Sequence, residues 1–468
     1  MPQSGLHSKM KAVTVPSRTA AEICLAEAFD ASKASLPGGE AIAQWRESSF
    51  KAFAASGLPH RRIESWHYTD LRALMRESLP LAGPPSSEIL CALRKELINA
   101  GTPQPRLVLV DGVFVPELSS ALPAGLKACS LSSALREAHP AQAALLPADD
   151  LSAGDPIVSL NAAMMQDGVV IEAAPGAAIA GPVHLVHVTA SPTPAAHFSR
   201  SALIIGPGAS VCIAESCHVA RFVEKASVSQ ANVCLIISLG ENAALSHTAM
   251  ISEAAPGSLR LESVMARLGS RAKLDSLALI SGINLARRQL FVRLEGAESE
   301  ALINGVSLLS GREHADTTLR VEHAAERCTS RETFKYILDK EATGVFQGKV
   351  RVAPAAQKTD SKMLSKAVLL SDGASMNSKP ELEIFADDVI CGHGSTSGGL
   401  DEDQLFYLQT RGLPFAEAEA LLLEAFAADV IGDFGHEELT SAFRGKVNAW
   451  LTARHGTAAR ARDAQVQD

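Results

Sequence analysis

Val233-Cys-Leu-Ile-Ile237, followed by Gly240-Glu-Asn-Ala-Ala-Leu245, is a short apolar run, a glycine turn and the start of another run. The unit recurs as Gly176-Ala-Ala-Ile179, Gly208-Ala-Ser-Val211, Gly269-Ser-Arg-Ala-Lys-Leu274, Gly296-Ala-Glu-Ser-Glu-Ala-Leu302 and Gly373-Ala-Ser-Met376. From 176 to 296 the leading glycines follow one another at 32, 32, 29 and 27 residues. Runs such as Val169-Val-Ile171, Val183 to Val188, Ala202 to Ile205 and Leu290 to Leu294 fill the intervals. Short strands at a near-constant interval, with glycine turns and no intervening helices, indicate a β-solenoid. A doubly wound parallel sheet would need a helix between successive strands, and the sequence provides none there. The fold class expected is mainly β, a right-handed parallel β-helix core flanked by N-terminal and C-terminal α-helical regions.

On the N-terminal side, residues 1–17 are polar and turn-rich and read as a disordered tail. Residues 18–155 read as a helical region with a short hairpin. Ala21, Ile23, Leu25 and Phe29 are followed by a break at Pro37-Gly38-Gly39, then by a stripe of Ile42, Trp45, Phe50 and Phe53 that stops at Gly57. Helices are expected over Ser87–Ala100 and Leu131–Glu137. Between them, Arg106 to Val110 and Val113 to Val115 flank Asp111-Gly112, a hairpin signal. Residues 156–400 form the expected β-helix core, whose ends the helical segments would cap.

Residues 401–468 read as a C-terminal helical domain. Asp401 caps a helix over Glu402–Thr410, and Pro414 opens a second carrying Leu421, Leu422, Phe426, Val430 and Ile431. A third holds Leu439, Phe443, Val447, Trp450 and Leu451, with a loose tail after His455.

Composition narrows the function. Net charge of −9 over 468 residues argues against a nucleic-acid scaffold. The N-terminus lacks the apolar core of a secretory signal, and no run approaches a bilayer span, so a cytoplasmic protein without a membrane is expected. The eight cysteines are scattered with no C-x-x-C pair, the pattern of buried thiols in a reducing compartment.

The densest polar chemistry lies in Gly344–Gly399 and ends in Cys391-Gly-His393-Gly394. On a strand, Cys391 and His393 share a face about 7 Å apart along the backbone. Thiolate and imidazole both ligate iron, but two ligands leave a site open. Gly344-Val-Phe-Gln-Gly348-Lys349-Val350 is one residue short of a phosphate loop and has Val where Ser or Thr must meet magnesium. Cys212 and Cys217 are an odd number apart and point to opposite faces of a strand, as do His184 and His187. Lys349, Lys358, Asp360 and Lys379 read as charges that bridge neighbouring strands, with contact to a partner as the alternative.

Several pieces of this stretch occur in a distinctive order: Phe346-Gln-Gly-Lys-Val350, Ala356-Gln-Lys-Thr-Asp360, Leu369-Leu-Ser-Asp-Gly-Ala374, Asn377 to Val389, Cys391-Gly-His393 and Leu405-Phe-Tyr-Leu-Gln-Thr-Arg-Gly412. Together with Gly57-Leu-Pro59 and the segment Arg61 to Asp70, they resemble the SufB/SufD family, scaffold subunits of a SUF (SufBCD) iron–sulfur cluster assembly complex. The likeness is strongest to its SufD branch.

The resemblance implies a non-catalytic scaffold subunit that pairs with a SufB-like sister and docks a SufC-like ABC ATPase through its C-terminal helices. A nascent iron–sulfur cluster would form transiently at the sister interface, with His393 the first candidate ligand and Cys391 the second. It also raises a homodimer when isolated and a reduced flavin in the complex, for which no motif is readable. With only Cys328 and Cys391 in the C-terminal half, a supporting role is expected rather than sulfur acceptance. The rivals are a β-helix polysaccharide-active enzyme, disfavoured by 4% aromatic content, and a purely structural solenoid adaptor.

Overall fold

The structure is a computed structural model that describes residues 18–465 apart from 100, 138, 146, 153, 223–226, 253 and 433. The expected tail at 1–17 lies outside the described residues. From Val169 to Gly398 the chain is strand after strand, and alternate strands join alternate sheets, one of ten strands and one of nine. Each strand pairs in parallel with the strand two places on, so the two sheets wind into a flattened β-helix of about eight turns. Strand Leu259–Leu268 lies between Ser229–Leu239 and Leu285–Leu294 without a register shift.

The turns explain both the periodicity and its looseness. At one corner each rung carries a residue in the left-handed region: Gly176, Gly208, Asn242, Arg271, Glu298, Arg327 and Lys358, with φ between 56° and 70°. The backbone N–H of each donates to a carbonyl in the turn of the following rung. Examples are Asn242 to Ser270 at 2.9 Å, Arg271 to Ala297 at 2.8 Å and Lys358 to Asp388 at 2.7 Å. Glycine is the easy occupant of this conformation, but five of the seven positions hold other residues. Gly240, Gly269 and Gly296 sit two residues earlier and serve close approach instead. A Cβ on Gly296 would lie 1.9 Å from the Ser270 nitrogen and 2.3 Å from the Gly269 carbonyl carbon.

Inside the solenoid, alternate residues stack in columns. Val211, Leu245 and Leu274 are followed by Ala301 in one sheet; Leu235, Val264 and Leu290 by Leu319 in the other. The helices cover the faces of the sheets rather than the ends, contrary to the capping expected. Pro156–Met164 packs with Ala20–Ser32 and Glu40–Ser56 against the outer face of the nine-stranded sheet, burying Leu160 and Phe53 beside Phe198 and Leu261. Phe415–Ile431 and Glu437–Gln465 cover the ten-stranded sheet through Leu423, Val430 and Phe443, against Leu279, Val306 and Ile337. The last helix continues to Gln465 instead of loosening after His455, one element rather than helix plus tail.

The hairpin forms as its Asp-Gly turn requires. Asp111 and Gly112 both have positive φ, and Arg106–Val110 pairs antiparallel with Val113–Phe114. Arg106–Val110 also pairs in parallel with Ala178–Thr189, extending the solenoid sheet. Leu126–Ser130 does the same for the other sheet, antiparallel to Val169–Ala173. The first rung is therefore blunted by short strands, whereas Ser375–Ile384 and Ile390–Gly398 end their sheets as open edges.

Gly296→Ala forces backbone apart between rungs. It is expected to destabilise the protein by about 2 kcal/mol, read as a lower midpoint in urea unfolding. Gly399→Ala meets nothing within 4 Å and is expected to leave the midpoint within about 0.5 kcal/mol.

Candidate functional site at the open end of the solenoid

Cys391 and His393 lie on Ile390–Gly398, where Cys391 pairs in register with Ser361 and His393 with Met363. Ser361 and Met363 are buried residues of the strand before, so both site residues face the solenoid axis. No further rung covers them. Cys391 is half-buried against the end of the apolar core and His393 is exposed. Around them Ile384, Phe385 and Ile390 are large exposed apolar side chains. Open strand edges beside exposed apolar groups form a surface suited to a protein partner.

Behind Cys391 runs a buried polar column. His323 Nε2 lies 2.9 Å from the Ser330 hydroxyl, which donates to the Ser361 hydroxyl at 2.9 Å. Ser361 in turn is the register partner of Cys391, whose sulfur is met by the Ser361 backbone N–H. Burial pushes the Cys391 thiol above its ordinary range; that N–H favours the thiolate, while the Asp360 and Glu332 carboxylates disfavour it. The thiol is therefore protonated at neutral pH in the isolated chain. Burial pushes His323 down to about 4 and Glu332 up to about 8, the latter against smaller effects from Ser330 and Arg331.

Among the described residues no three His, Cys, Asp or Glu side chains converge to hold a metal ion. The pair at 391 and 393 thus offers two donors on an open surface. The other sequence candidates separate as their parity predicts. Cys212 faces the C-terminal helices, whereas Cys217 lines a small cavity with His197 and Arg260. His184 faces outward, 4.0 Å from Glu438, and His187 inward, 2.7 Å from Glu215. Cys328 belongs to the turn stack, its sulfur 3.3 Å from the Ser299 hydroxyl. Gly344 and Gly348 belong to strand Thr343–Val352, not to a phosphate loop. A Cβ on Gly348 would lie 2.2 Å from Met363 Sδ and 2.7 Å from the Phe346 ring.

The charges of this region bridge strands. Lys349 meets Glu383 at 3.0 Å, Asp360 meets Arg331 at 2.6 Å, and Lys358 pairs with Asp388. Lys379 reaches Glu64 of the N-terminal region at 2.8 Å. The aromatic anchor beside Glu64 is structural: Trp66 is fully buried, donates to Asp155 at 2.9 Å, and has the Arg287 guanidinium 3.7 Å from its ring centre. His67 is exposed against the Arg61 carbonyl.

An interior ionic cluster escaped the sequence reading. Burial alone would raise Glu215, but hydrogen bonds from His187 and His247, each 2.7 Å away, hold it well below the usual range. Glu262 takes Arg288 at 2.6 Å and Arg260 at 3.3 Å. The signal lies in strand parity: Arg260 and Glu262 share the face of Val264, which lies in the solenoid core, and alternate with Leu259 and Leu261, which face the N-terminal helices.

A winding two-sheet solenoid with helical flanks and an open, thiol- and imidazole-bearing end defines a β-helix protein. Comparison with known proteins makes the assignment specific. Residues 187–426 match the family model described as the SUF system FeS cluster assembly, SufBD core domain, and residues 25–185 match the SufBD protein N-terminal region. An iron–sulfur cluster assembly SufBD family protein of Synechocystis is 30% identical over 393 residues, 82% of this chain and 86% of that relative. The iron–sulfur cluster assembly protein SufD of Escherichia coli is 30% identical over 380 residues, covering 80% and 85%. The chloroplastic protein ABCI7 of Arabidopsis thaliana is 26% identical over 440 residues, covering 91% and 90%. The chain belongs to the SufBD family, and its role lies in iron–sulfur cluster assembly.

Glu332 gives a pH signature. Its folded value of about 8 stands above the ordinary 4.5, so between these values the folded protein keeps a proton that the unfolded chain loses. Stability contributed by this group is present at the acid end and lost as pH rises through that window, by up to about 1.4 kcal/mol per pH unit. Urea unfolding across pH 5 to 8, a window of about three units, should show this slope flattened in Glu332→Gln. Alkylation by iodoacetamide at neutral pH should be slower at Cys391 than at the exposed Cys91.

Proposed function

We propose that the chain is a scaffold subunit whose open solenoid end joins a SufB-like sister, so that a nascent iron–sulfur cluster forms between them. The observation that carries this reading is Cys391 and His393 facing the axis of an uncovered last rung, beside two open strand edges. A sister solenoid that continues either sheet would pair those edges, cover Ile384, Phe385 and Ile390, and bring its own ligands opposite the pair. Two donors from this chain and the rest from the sister make up the roughly four that a cluster needs.

In this role His393, exposed and free to turn, binds incoming iron first. Cys391 follows when iron displaces its proton, since a coordinated thiol is deprotonated outright. The cluster is cargo: it is assembled at the seam and released to an acceptor. In the isolated chain the same edges would serve a second copy, giving a homodimer.

The C-terminal helices support the second contact. Phe406, Tyr407, Phe415 and Leu421 are exposed on Glu402–Thr410 and Phe415–Ile431, while Leu423, Ala427 and Val430 pack inward on the sheet. Such an apolar outer surface suits a SufC-like ABC ATPase, whose rearrangement on nucleotide hydrolysis would strain the solenoid seam and open it to iron and sulfur. The chemistry of hydrolysis then belongs to the ATPase and not to this scaffold.

The test is co-expression with the neighbouring SUF subunits. His393→Ala is expected to leave complex formation intact and to reduce the visible absorption of the bound cluster. An unchanged cluster yield would leave the reading of a purely structural adaptor. Ile390→Asp at the open edge is expected to reduce sister association at least about tenfold, a loss of about 1.4 kcal/mol, measured by pull-down from the same cells.

A further inference from the structure

A cavity of about 450 Å³ lies outside the solenoid, between the N-terminal region and the nine-stranded sheet. Its roof is Ile63–Ser65 with the segment around Asp155 and Pro156. Its floor is the outer face of the last four rungs. The size is that of a metabolite site, and its place between a helical region and a sheet is where such sites are common.

The floor is a regular grid. Across the rungs, Phe291 pairs with Arg320, Arg320 with Lys349, and Lys349 with Glu381. In the flanking row every charge is engaged. Glu322 takes Arg351 at 2.5 Å with one oxygen and Arg293 at 3.6 Å with the other, and Glu383 takes Lys349 at 3.0 Å. On the other side, Gln347 donates to the Ser65 carbonyl at 3.0 Å and Lys379 pairs with Glu64 and Glu381.

Arg320 is the exception. It is half-buried in the cavity wall and has no hydrogen bond or ion pair among the described residues. The carboxylates within its grid are already held by other cations. Its register neighbour is Lys349, a like charge one strand spacing away, about 4.8 Å. A guanidinium beside an ammonium, in a walled recess, is a combination completed by an acidic group from outside. Phe291 and Ile63 supply apolar surface next to it.

We propose that this cavity binds a small organic anion, its phosphate or carboxylate held by Arg320 with Lys349 alongside, and its apolar part against Phe291 and Ile63. The site is independent of the cluster function at Cys391 and His393. Because its roof is the N-terminal region and its floor the solenoid, an occupant ties the two together at the rungs nearest the open end.

Phenyl phosphate and benzoate titrated calorimetrically into the full chain test this, the two probes distinguishing which acid group is preferred. At least one is expected to bind saturably with a dissociation constant of about 1 mM or tighter. Arg320→Gln is expected to weaken it at least about tenfold, and Phe291→Ala to weaken it while sparing the weaker binding of inorganic phosphate. Arg312→Gln, on an exposed turn, is expected to change nothing. Absence of saturable binding by both probes at about 1 mM, or an affinity unchanged in an Arg320→Gln protein that keeps its circular dichroism, would overturn the proposal.

Discussion

The structure depends on the hydrogen bond that each left-handed corner residue gives to the next rung. Non-glycine residues in that conformation cost roughly 1 kcal/mol or more each, yet Asn242, Arg271, Glu298, Arg327 and Lys358 all adopt it. An N–H bonded across rungs at 2.7 to 3.0 Å compensates, because leaving it unpaired in a stacked turn would cost as much or more. Once the corners stack, the strands between them must run in phase. In-phase strands in turn place every second side chain in an interior column. The small buried residue after each corner from Gly208 onward, Ala209, Ala243, Ala272, Ser299, Cys328 and Thr359 in turn, follows from the same constraint.

A stack of this kind has two sheet faces and two ends, and the chain treats them differently. The faces are covered by its own helices, anchored at buried polar points. Arg287 pairs with Asp316 and donates to the Ser65 carbonyl at 2.7 Å, while Trp66 lies under its guanidinium. Lys335 donates to the Phe426 carbonyl at 2.7 Å and is held over the Phe426 ring. Buried charges of this type specify position more than they add stability, since their desolvation offsets much of their attraction. The first end is blunted by short strands, whereas Ser375–Ile384 and Ile390–Gly398 end their sheets as full-length edges.

Much of this was legible because solenoid geometry is local and repetitive. Short runs, turns and a period near 30 suffice to identify the coil, and strand parity separates Cys212 from Cys217 and places Cys391 and His393 on one face. What was not legible depends on partners about one rung away in sequence. The glycine spacing is uneven because glycine fills the left-handed position in two rungs and the close-approach position in three others. The parallel pairing of Arg106–Val110 with Ala178–Thr189 has no signature in either segment. The pairing of Glu215 with His187 and His247 joins residues 28 and 32 apart, and hydrophobic patterning reads such charges only as interruptions. The helix beyond His455 carries an Ala- and Arg-rich sequence with good helix propensity, which composition alone had suggested was loose.

The polar column behind Cys391 shows why this end of the solenoid differs from the rest. Earlier rungs fill the corresponding column with Val211, Leu245, Leu274 and Ala301, but from Ser330 onward it carries hydroxyls and then a thiol. The Ser330 hydroxyl links His323 Nε2 to the Ser361 hydroxyl, so these groups polarise one another along the stack. The terminal thiol of this column packs on one side against the rung before it, while its other side remains open. A backed donor with one open side is what a site shared with a second chain needs, and a covered rung would leave it nothing to bind.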